Sequence, residues 1–366
     1  MKKVLFLTNI PSPYRVEFFN ELGKICRLTV VFEGKKALDR HEKWMSGPPD
    51  TFHCVILNGL RAGREQFLSF KILKYLRKKW DYIIIGMYST PTAMFAIEYM
   101  RIYNIKFIIS ADGGFIKDDG MLRYYIKKHF ISAASLWFSS GNETSRYLVH
   151  YGADRNKCFL FPFTSLRNRE IERNAKSVNE DKGRIRKYLG ISPDCKMVLT
   201  VSQIIERKGI DLLVEASKKF GEEVVFIIVG GEKADWLNIK DDKNDNLRFE
   251  GFKTKEEIGD YYRAADVFVL PTREDIWGLV VNEAMSYGLP VITTNRCVAG
   301  LELIDNGING YIVEINDIQA IEAAIRHVFI QNSNQEMSNK AIEKIRSYSI
   351  ENMVKAHMNI IESSII

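Results

Sequence analysis

Short apolar runs alternate with amphipathic segments along most of this chain. The apolar runs predict strands, and the stretches between them have the spacing of helices. Near-continuous apolar strands separated by helices are typical of a parallel sheet covered on both faces, so the sequence predicts an α/β fold of the doubly wound type. The predicted strands are residues 3–8, 28–32, 54–57, 82–86, 106–110, 136–139, 197–202, 224–230, 247–250, 267–270 and 291–293. The predicted helices are residues 15–24, 66–79, 92–103, 122–133, 210–220, 255–264 and 279–287, with three more helical segments at the end of the chain.

The alternation lapses once, in a polar and highly charged stretch at residues 166–187. Because it resumes afterwards, and because a domain takes about 150 residues, two Rossmann-like domains of similar size facing a central cleft are expected. We place the N-terminal domain at residues 1–170 and the C-terminal domain at residues 171–346. Residues 347–366 hold a last helix, starting near residue 350, that can pack on either domain, and we assign it to the N-terminal one.

Composition narrows the class of protein. With 46% hydrophobic and 27% charged residues, the chain is ordinary globular material, which excludes disordered, collagen-like and coiled-coil proteins. Its five scattered cysteines contain no CxxC pair, so a reducing compartment is expected rather than a disulfide framework or a zinc cluster. The apolar run after Lys3 is too short for a signal peptide, and the uncharged stretch 82–97 is too short to cross a bilayer.

The net charge of +6 is unevenly distributed. Residues 1–166 carry 25 basic and 14 acidic residues, a net +11, whereas residues 167–366 carry a net −5. This asymmetry indicates that the two halves meet different partners.

The most informative segment is residues 271–291, PTREDIWGLVVNEAMSYGLPV. It follows a predicted strand and opens a helix near Gly278, whose first backbone amides suit phosphate oxygens. Asp275 and Glu283 stand on either side of these amides, eight residues apart, and their carboxylates can accept hydrogen bonds from sugar or ribose hydroxyls. The alternative for Glu283 is an acid that only stabilises the first turns of its helix.

This segment resembles the signature of the retaining glycosyltransferases of family 4, within the glycosyl transferases group 1, which have the GT-B fold and an E-x7-E pair. The resemblance implies that the first acid contacts the donor sugar and that Glu283 contacts the nucleotide ribose. The first acidic position is here Asp275, one methylene shorter than Glu, and neighbouring Glu274 is an alternative for it. The resemblance also implies that the C-terminal domain binds a nucleotide sugar, UDP- or GDP-linked, and that the N-terminal domain binds the acceptor.

Residues 201–211, VSQIIERKGID, are similar to the family element whose Arg and Lys neutralise the donor diphosphate. Lys208 is in register with the family's lysine. Gln203 stands where the family has Arg, so it can donate hydrogen bonds but carries no charge. Arg207 is a candidate for the second positive charge, the alternative being a solvated side chain at a helix start.

Further turns complete the expected site. The resemblance assigns the glycine turn after residue 229 and the F-x-G turn near residue 250 to the nucleotide. The turn at residues 8–15 offers donors at a helix N-terminus, where an anion is favoured; the alternative is an ordinary Pro-x-Pro helix start. The resulting donor-binding residues are Ser12, Tyr14, Gln203, Gly230, Gly231, Phe252, Lys253, Glu274, Gly278, Leu279 and Val280. The expected catalytic residues are Lys208, Arg207, Asp275, Glu283 and Asp112.

Catalysis of glycosyl transfer requires positive groups placed at the departing phosphate. The chain contains no DxD motif for Mg²⁺ or Mn²⁺, so metal-independent chemistry without a further cofactor is expected. The family resemblance implies retention by front-side attack, in which the acceptor hydroxyl passes its proton to the leaving phosphate. Asp112 follows a strand where family members often carry His, so it is a candidate contact for sugar or acceptor. An ordinary Asp-Gly-Gly turn is the alternative.

Basic residues of the first half are interleaved with apolar ones in two places, residues 61–79 and 122–129. The cations are Arg61, Arg64, Lys71, Lys74, Arg77, Lys78, Lys79, Arg123, Lys127, Lys128 and His129. A peripheral contact with an anionic membrane is one interpretation, and a solvated basic face over a buried apolar one is the other. No nucleic-acid recognition module is visible, so nucleic acid is not an expected partner.

The sequence thus predicts a cytoplasmic hexosyltransferase, in contact with the inner face of the plasma membrane, that transfers sugar to a glycan or lipid-linked acceptor. Surface polysaccharide biosynthesis, of lipopolysaccharide or capsule, is the expected setting. A GT-B-type sugar-nucleotide epimerase is an alternative, as is a non-catalytic nucleotide-sugar-binding scaffold, since Asp275 and Gln203 depart from the family pattern.

Overall fold

The computed structural model describes residues 1–35, 47–63, 66–231, 245–330 and 334–363. The chain divides into two compact units, Met1–Ser165 with Ile350–Ile366, and Leu166–Ser349. The boundary between Ser165 and Leu166 lies a few residues before the domain boundary predicted at residue 170. The C-terminal segment from Ile350 belongs to the first unit.

The first unit contains a parallel sheet. Seven strands of the described chain pair in the order β3-β2-β1-β6-β7-β8-β9. Successive strands are added toward one edge from β1 to β3 and toward the other edge from β6 to β9, so the strand order reverses between β1 and β6. These strands are β1 Lys3–Thr8, β2 Arg27–Phe32, β3 His53–Ile56, β6 Tyr82–Ile85, β7 Ile108–Ala111, β8 Leu136–Ser139 and β9 Cys158–Leu160. A small antiparallel hairpin of β4 Leu60–Arg61 and β5 Phe67–Leu68 accompanies them.

Helices follow most of these strands. They are α1 Pro13–Leu22, α2 Leu73–Leu76, α3 Pro91–Ile102, α4 Met121–Ile131, α5 Asn142–His150 and the C-terminal α14 Ile350–Ser363. Pro13 and Pro91 start their helices at positions where no backbone donor is needed. Helix α14 packs against α1, and its buried His357 lies among the rings of Phe18, Phe138 and Phe161.

The second unit repeats the architecture. Six strands of the described chain form a parallel sheet in the order β12-β11-β10-β13-β14-β15, with its reversal point between β10 and β13. The strands are β10 Lys196–Val201, β11 Val224–Val229, β12 Leu247–Phe249, β13 Val267–Leu270, β14 Val291–Thr294 and β15 Gly310–Val313. The helices are α6 Asn168–Lys176, α7 Lys182–Tyr188, α8 Ile210–Ser217, α9 Lys255–Ala264, α10 Leu279–Ser286, α11 Val298–Leu303, α12 Ile318–Ile330 and α13 Asn334–Ile345.

The helix predicted over residues 66–79 is wrong. Phe67 pairs with Arg61 in the hairpin, and the Phe67 carbonyl accepts a hydrogen bond of 2.7 Å from the Thr92 hydroxyl. The Thr92 hydroxyl also accepts the Ser69 amide at 3.0 Å, so contacts with the start of α3 hold this segment extended. A 3₁₀ turn at Phe70–Ile72 and the short α2 follow. Arg64 and Glu65 lie outside the described residues.

The prediction that periodicity lapses between residues 166 and 187 also needs correction, because α6 and α7 form there. One of the charged residues of this segment, Arg186, is part of a buried ion pair. Its guanidinium lies 2.7 Å from the Asp266 carboxylate and donates to the Ala264 carbonyl. These bonds tie α7 to the second sheet. Strands β9 and β15 were not predicted. Among the described helices, none combines the length and the apolar composition needed to cross a bilayer.

Candidate functional site

Two loops of the second unit meet at the reversal point of its sheet, where doubly wound folds bind ligands. Residues 202–209 follow β10, and residues 271–278 follow β13. Gly209 has a left-handed φ of 66°, and a Cβ there would overlap the Pro271 carbonyl oxygen. Only glycine permits this approach of backbone to backbone.

Hydrogen bonds fasten the two loops together. The Arg207 carbonyl accepts from the Arg273 amide and from the Thr272 hydroxyl, each at 2.9 Å. The Arg273 guanidinium also donates two hydrogen bonds to the Asp211 carboxylate, at 2.8 and 2.6 Å, and this bidentate geometry fixes the orientation of the guanidinium. The first turn of α8 is thereby tied to the loop after β13.

Lys208 and Asp275 form the centre of this arrangement. The Lys208 ammonium lies 2.5 Å from the Asp275 carboxylate, and the two side chains are only 15% and 11% exposed. The backbone of Asp275 is held as well, since its amide donates to the Arg296 carbonyl at 2.8 Å. The predicted phosphate ligand and the predicted sugar ligand are therefore paired with each other.

The neighbouring candidates Arg207 and Glu274 make other contacts. The Arg207 guanidinium donates to the backbone carbonyl of Glu274 at 2.7 Å. The Glu274 carboxylate lies 3.3 Å from the Arg296 guanidinium. Of the two acids between which the sequence could not decide, Asp275 is the one beside Lys208.

The N-terminus of α10 lies in the same loop. Gly278 caps this helix with a φ of 100°, and a Cβ there would lie 2.8 Å from the Cys297 sulfur. The Val281 amide donates to the Gly278 carbonyl. The amides before it, those of Gly278, Leu279 and Val280, come too early in the helix to have an acceptor within it and can donate to other groups. The positive end of the helix dipole adds to their attraction for an anion.

Glu283, on the second turn of α10, contacts a buried tyrosine. The Tyr262 hydroxyl donates to its carboxylate at 3.1 Å, and the Tyr262 ring stacks on Tyr287 with the ring centroids 5.2 Å apart. Burial, and then the charge of Glu283, raise the pKa of Tyr262 well above its ordinary value, so this hydroxyl stays a donor. Sequence reasoning missed Tyr262, because it lies on α9, 21 residues before Glu283.

Two glycine turns lie at the carboxyl ends of β11 and β12. The Gly230 amide donates to the Gly251 carbonyl at 2.7 Å, and both residues have positive φ values, of 110° and 58°. A Cβ on Gly230 would lie 2.7 Å from the Ser202 carbonyl oxygen. The predicted nucleotide turns, which continue into Gly231 and into Phe252 and Lys253, therefore converge beside the loop after β10. Gln203 lies in that loop with an exposed side chain.

The remaining predicted residues belong to the first unit. The Asp112 carboxylate, after β7, lies 2.5 Å from the Arg15 guanidinium and 3.5 Å from the Tyr14 hydroxyl. Burial raises the pKa of Asp112, and Arg15 opposes that rise. Ser12 is the buried N-cap of α1. Arg15 and Asp112 lie 97 positions apart, so only the strand order β1-β6-β7 could have brought them together.

Comparison with solved structures identifies the class of fold. Anabaena HepE in complex with UDP and glucose superposes with a TM-score of 0.72 over all of both chains, at 15% sequence identity. The solved structures that resemble this chain are GT-B glycosyltransferases. Two parallel-sheet α/β domains are the architecture of that fold, so the prediction of a GT-B fold is confirmed.

Comparison of sequences refines the class. Residues 181–348 match the family model described as Glycosyl transferases group 1. An uncharacterized glycosyltransferase of Methanocaldococcus jannaschii is 29% identical over 190 residues, which cover 50% of this chain and 48% of that protein. The UDP-Gal:alpha-D-GlcNAc-diphosphoundecaprenol alpha-1,3-galactosyltransferase of Escherichia coli is 25% identical over 314 residues, 76% of this chain and 78% of that protein. These matches support a group 1 glycosyltransferase. The chain spans about half the length of several of the curated relatives that it matches.

Proposed function

We propose that this protein is a retaining, metal-independent glycosyltransferase of family 4. It transfers a hexose from a UDP- or GDP-linked sugar to a glycan or a lipid-linked acceptor. The polysaccharide and lipopolysaccharide enzymes among the relatives support a role in surface polysaccharide biosynthesis. That HepE was solved with UDP and glucose supports a nucleotide sugar as donor.

One observation carries the proposal: at the reversal point of the second sheet, the Asp275 carboxylate contacts Lys208 and also accepts the amide of Trp277, just before α10, at 3.5 Å, so Lys208 and the start of α10 face the same position. A carboxylate, Asp275, already lies 2.5 Å from the Lys208 ammonium, so this position attracts anions. In the proposed complex the donor diphosphate takes the place of the carboxylate on Lys208. The amides of Gly278, Leu279 and Val280 bind its remaining oxygens.

The proposed chemistry follows from the charge that develops in the transition state. As the bond from the anomeric carbon to the diphosphate breaks, the leaving oxygen becomes more negative. With the donor bound, Lys208, the helix amides and Arg207 stabilise this negative charge. Asp275, once released from Lys208, binds a sugar hydroxyl, and Glu283, held by Tyr262, binds the ribose. The acceptor hydroxyl attacks from the same face and passes its proton to the leaving phosphate, which retains the configuration.

In the first unit, we propose that Asp112 contacts the sugar or the acceptor, with Tyr14 and Ser12 beside it. Because Arg15 holds the Asp112 carboxylate in place, this acid is presented in one orientation. A lipid-linked acceptor would bring the protein to the inner face of the plasma membrane, and the net +11 of residues 1–166 favours such a contact.

The test uses a panel of UDP-, GDP-, ADP- and dTDP-sugars screened by saturation-transfer NMR, followed by turnover measurements. K208A and E283A should lose donor binding or turnover, whereas K218A, on an exposed surface lysine, should not. Activity should persist in EDTA, and product NMR should show the retained anomer. Wild-type turnover in both site variants, or donor consumption without any acceptor, would refute the proposal, and the second result would indicate an epimerase. Donor binding without turnover would indicate a scaffold.

A further inference from the structure

A cavity of about 110 Å³ lies in the second unit, at the amino ends of β13 and β14. Two of its lining residues fix this position, because Asp266 directly precedes β13 and Pro290 directly precedes β14. The candidate donor site lies at the carboxyl ends of the strands, so the cavity opens at the opposite edge of the same sheet. The two are separate places in the fold.

Two buried polar atoms at this cavity have no hydrogen-bond partner among the described residues. They are the Ser338 hydroxyl oxygen, on α13, and Arg263 Nε, at the end of α9. Ser338 is only 5% exposed, and a Cβ on the lining residue Gly288 would overlap its oxygen, which therefore lies against the cavity wall. Because a buried polar group without a partner is unfavourable, both atoms indicate a bound polar ligand.

The charged groups at the cavity are two cations, Lys182 and Arg263, and one acid, Asp266. The Asp266 carboxylate already lies 2.7 Å from the Arg186 guanidinium and accepts the Met197 amide at 2.8 Å. The Lys182 ammonium donates to a backbone carbonyl at 2.6 Å and lies 3.6 Å from Asp266. An ammonium has three donors, so Lys182 can still donate into the cavity.

The Arg263 guanidinium uses only part of its donor set. Its Nη atoms contact Asp260 and Glu180, the second at 3.4 Å. These contacts fix the guanidinium plane and leave Nε directed elsewhere. The cavity thus combines an ammonium, a guanidinium Nε and a hydroxyl as donors, and its one acid is already compensated.

We propose that this cavity binds a small tetrahedral oxyanion of the size of inorganic phosphate. The Ser338 hydroxyl and Arg263 Nε donate hydrogen bonds to its oxygens, and the Lys182 ammonium balances its charge. Size excludes a nucleotide, because sites for ligands of that kind measure about 300 Å³ or more. The ligand is therefore not a second copy of the donor.

Tyr262 connects the cavity with Glu283. The rings of Tyr262 and Tyr287 both line the cavity and stack on each other, and the Tyr262 hydroxyl donates to the Glu283 carboxylate at 3.1 Å. An ion that fills the cavity restricts these rings, which favours the orientation that holds Glu283. Bound oxyanion should therefore strengthen nucleotide binding, and this part of the inference rests on the proposed function.

The first experiment tests the binding site on the full chain, with inorganic phosphate as the probe. Urea unfolding is measured in sodium phosphate and in sodium chloride of equal ionic strength, and calorimetry gives the phosphate affinity. Phosphate should raise the unfolding midpoint of the wild type, because it binds only the folded state. S338A, and R263K, which keeps the cation but lacks the Nε donor, should bind phosphate at least about tenfold more weakly.

Stability in chloride separates a lost ligand from a damaged fold. S338A removes a buried oxygen that has no partner among the described residues, so its midpoint in chloride should not fall below that of the wild type. The matched controls S347A and R326K change an exposed serine and an exposed arginine and should respond to phosphate like the wild type. No phosphate shift in the wild type, or equal phosphate affinity in S338A, would overturn the site.

The second experiment tests the connection to Glu283. UDP or GDP, whichever the donor panel selects, is titrated into the wild type and S338A. Phosphate competes at Lys208 equally in both proteins, so a difference between them belongs to the cavity. The two should bind the nucleotide equally in chloride, and in phosphate the wild type should bind it at least about fivefold more tightly.

Equal nucleotide affinities in phosphate would overturn the connection through Tyr262. Absence of nucleotide binding in chloride, in both proteins, would instead count against the proposed function. The phosphate-dependent difference in unfolding between K208A and K208A/S338A should match that between the wild type and S338A. A difference that disappears in the K208A background would place the phosphate at the donor site and refute the cavity.

Discussion

The Lys208 ammonium and the Asp275 carboxylate lie 2.5 Å apart, on loops that are 67 residues apart in the chain. Both side chains are largely shielded from water, so the attraction between them is screened less by solvent and salt than that of a surface salt bridge. In the proposed function, donor binding requires that a diphosphate displaces this carboxylate. The carboxylate therefore competes with the donor and, once displaced, becomes available to the sugar.

The first prediction concerns this competition. D275N removes the anion that faces Lys208, so the free nucleoside diphosphate should bind roughly fivefold more tightly, as expected for one partly shielded ion pair. Turnover with the intact sugar donor should fall, because the sugar loses a ligand. D275E, which restores the charge and the family's side-chain length, should reverse both effects. Calorimetry and steady-state kinetics measure them, and unchanged diphosphate affinity in D275N would contradict the competition.

The second prediction concerns the meeting of the two loops. G209A should destabilise the protein by more than about 2 kcal/mol, because it combines a left-handed φ with an overlap on the Pro271 carbonyl. The matched control is G190A, which has a similar φ of 67° but open space around its Cβ. It should cost only about 1 kcal/mol. Urea unfolding compares the two, and equal losses would show that the contact between the loops is unimportant.

The third prediction concerns Tyr262, whose hydroxyl donates a hydrogen bond to Glu283. Y262F keeps the ring stacked on Tyr287 but removes the hydroxyl that orients the carboxylate. KM for the donor should rise a few-fold with little change in kcat, and stability should fall by about 1 kcal/mol. Y287F changes the other ring of the stack and should leave KM unchanged. A loss of kcat alone in Y262F would place Glu283 outside ribose binding.

The fourth prediction concerns pH and the C-terminal helix. His357 is fully buried, and burial lowers its pKa to about 4. The unfolded chain takes up a proton near pH 6.5, so stability is complete above that pH and falls by up to about 3 kcal/mol as the pH drops toward 4. H357F should keep the aromatic packing and flatten this dependence, whereas H53Q, at an exposed histidine, should not. Hydrogen exchange of residues 350–363 between about pH 7 and about pH 5 measures it, and an unchanged slope in H357F would exclude His357 as the cause.

The fifth prediction concerns Arg15 and Asp112. Burial raises the pKa of Asp112 and Arg15 counteracts it, so R15M should raise that pKa further. If ionised Asp112 contacts substrate, the acid limb of the kcat/KM profile should move to higher pH by about one unit or more, and activity should recover in more alkaline buffer. Y14F, which removes only a 3.5 Å contact, should shift it little. A uniform loss at every pH would indicate a structural role for Arg15.

Local pattern was sufficient for most of the parallel strands, because the central ones, such as β1, β6 and β13, are short apolar runs buried on both faces. It failed where tertiary bonds compete with helical periodicity. The segment 66–79 has helical spacing, yet Thr92 holds its start in an extended hairpin. Residues 166–187 look like a polar linker, yet Arg186 and Asp266 bury their charges against each other.

By itself, the sequence determined the α/β class, the two-domain organisation and the motifs around Lys208, Asp275 and Glu283, because these depend on local periodicity and on residues close in the chain. Only the tertiary structure decided which groups meet. It paired Lys208 with Asp275, Tyr262 with Glu283 and Arg15 with Asp112, since each pair joins loops or helices that follow different strands. It also decided that Leu122 and Ile126 on α4 are exposed while Ile72 and Leu76 are buried, because burial depends on which face of a segment the core covers.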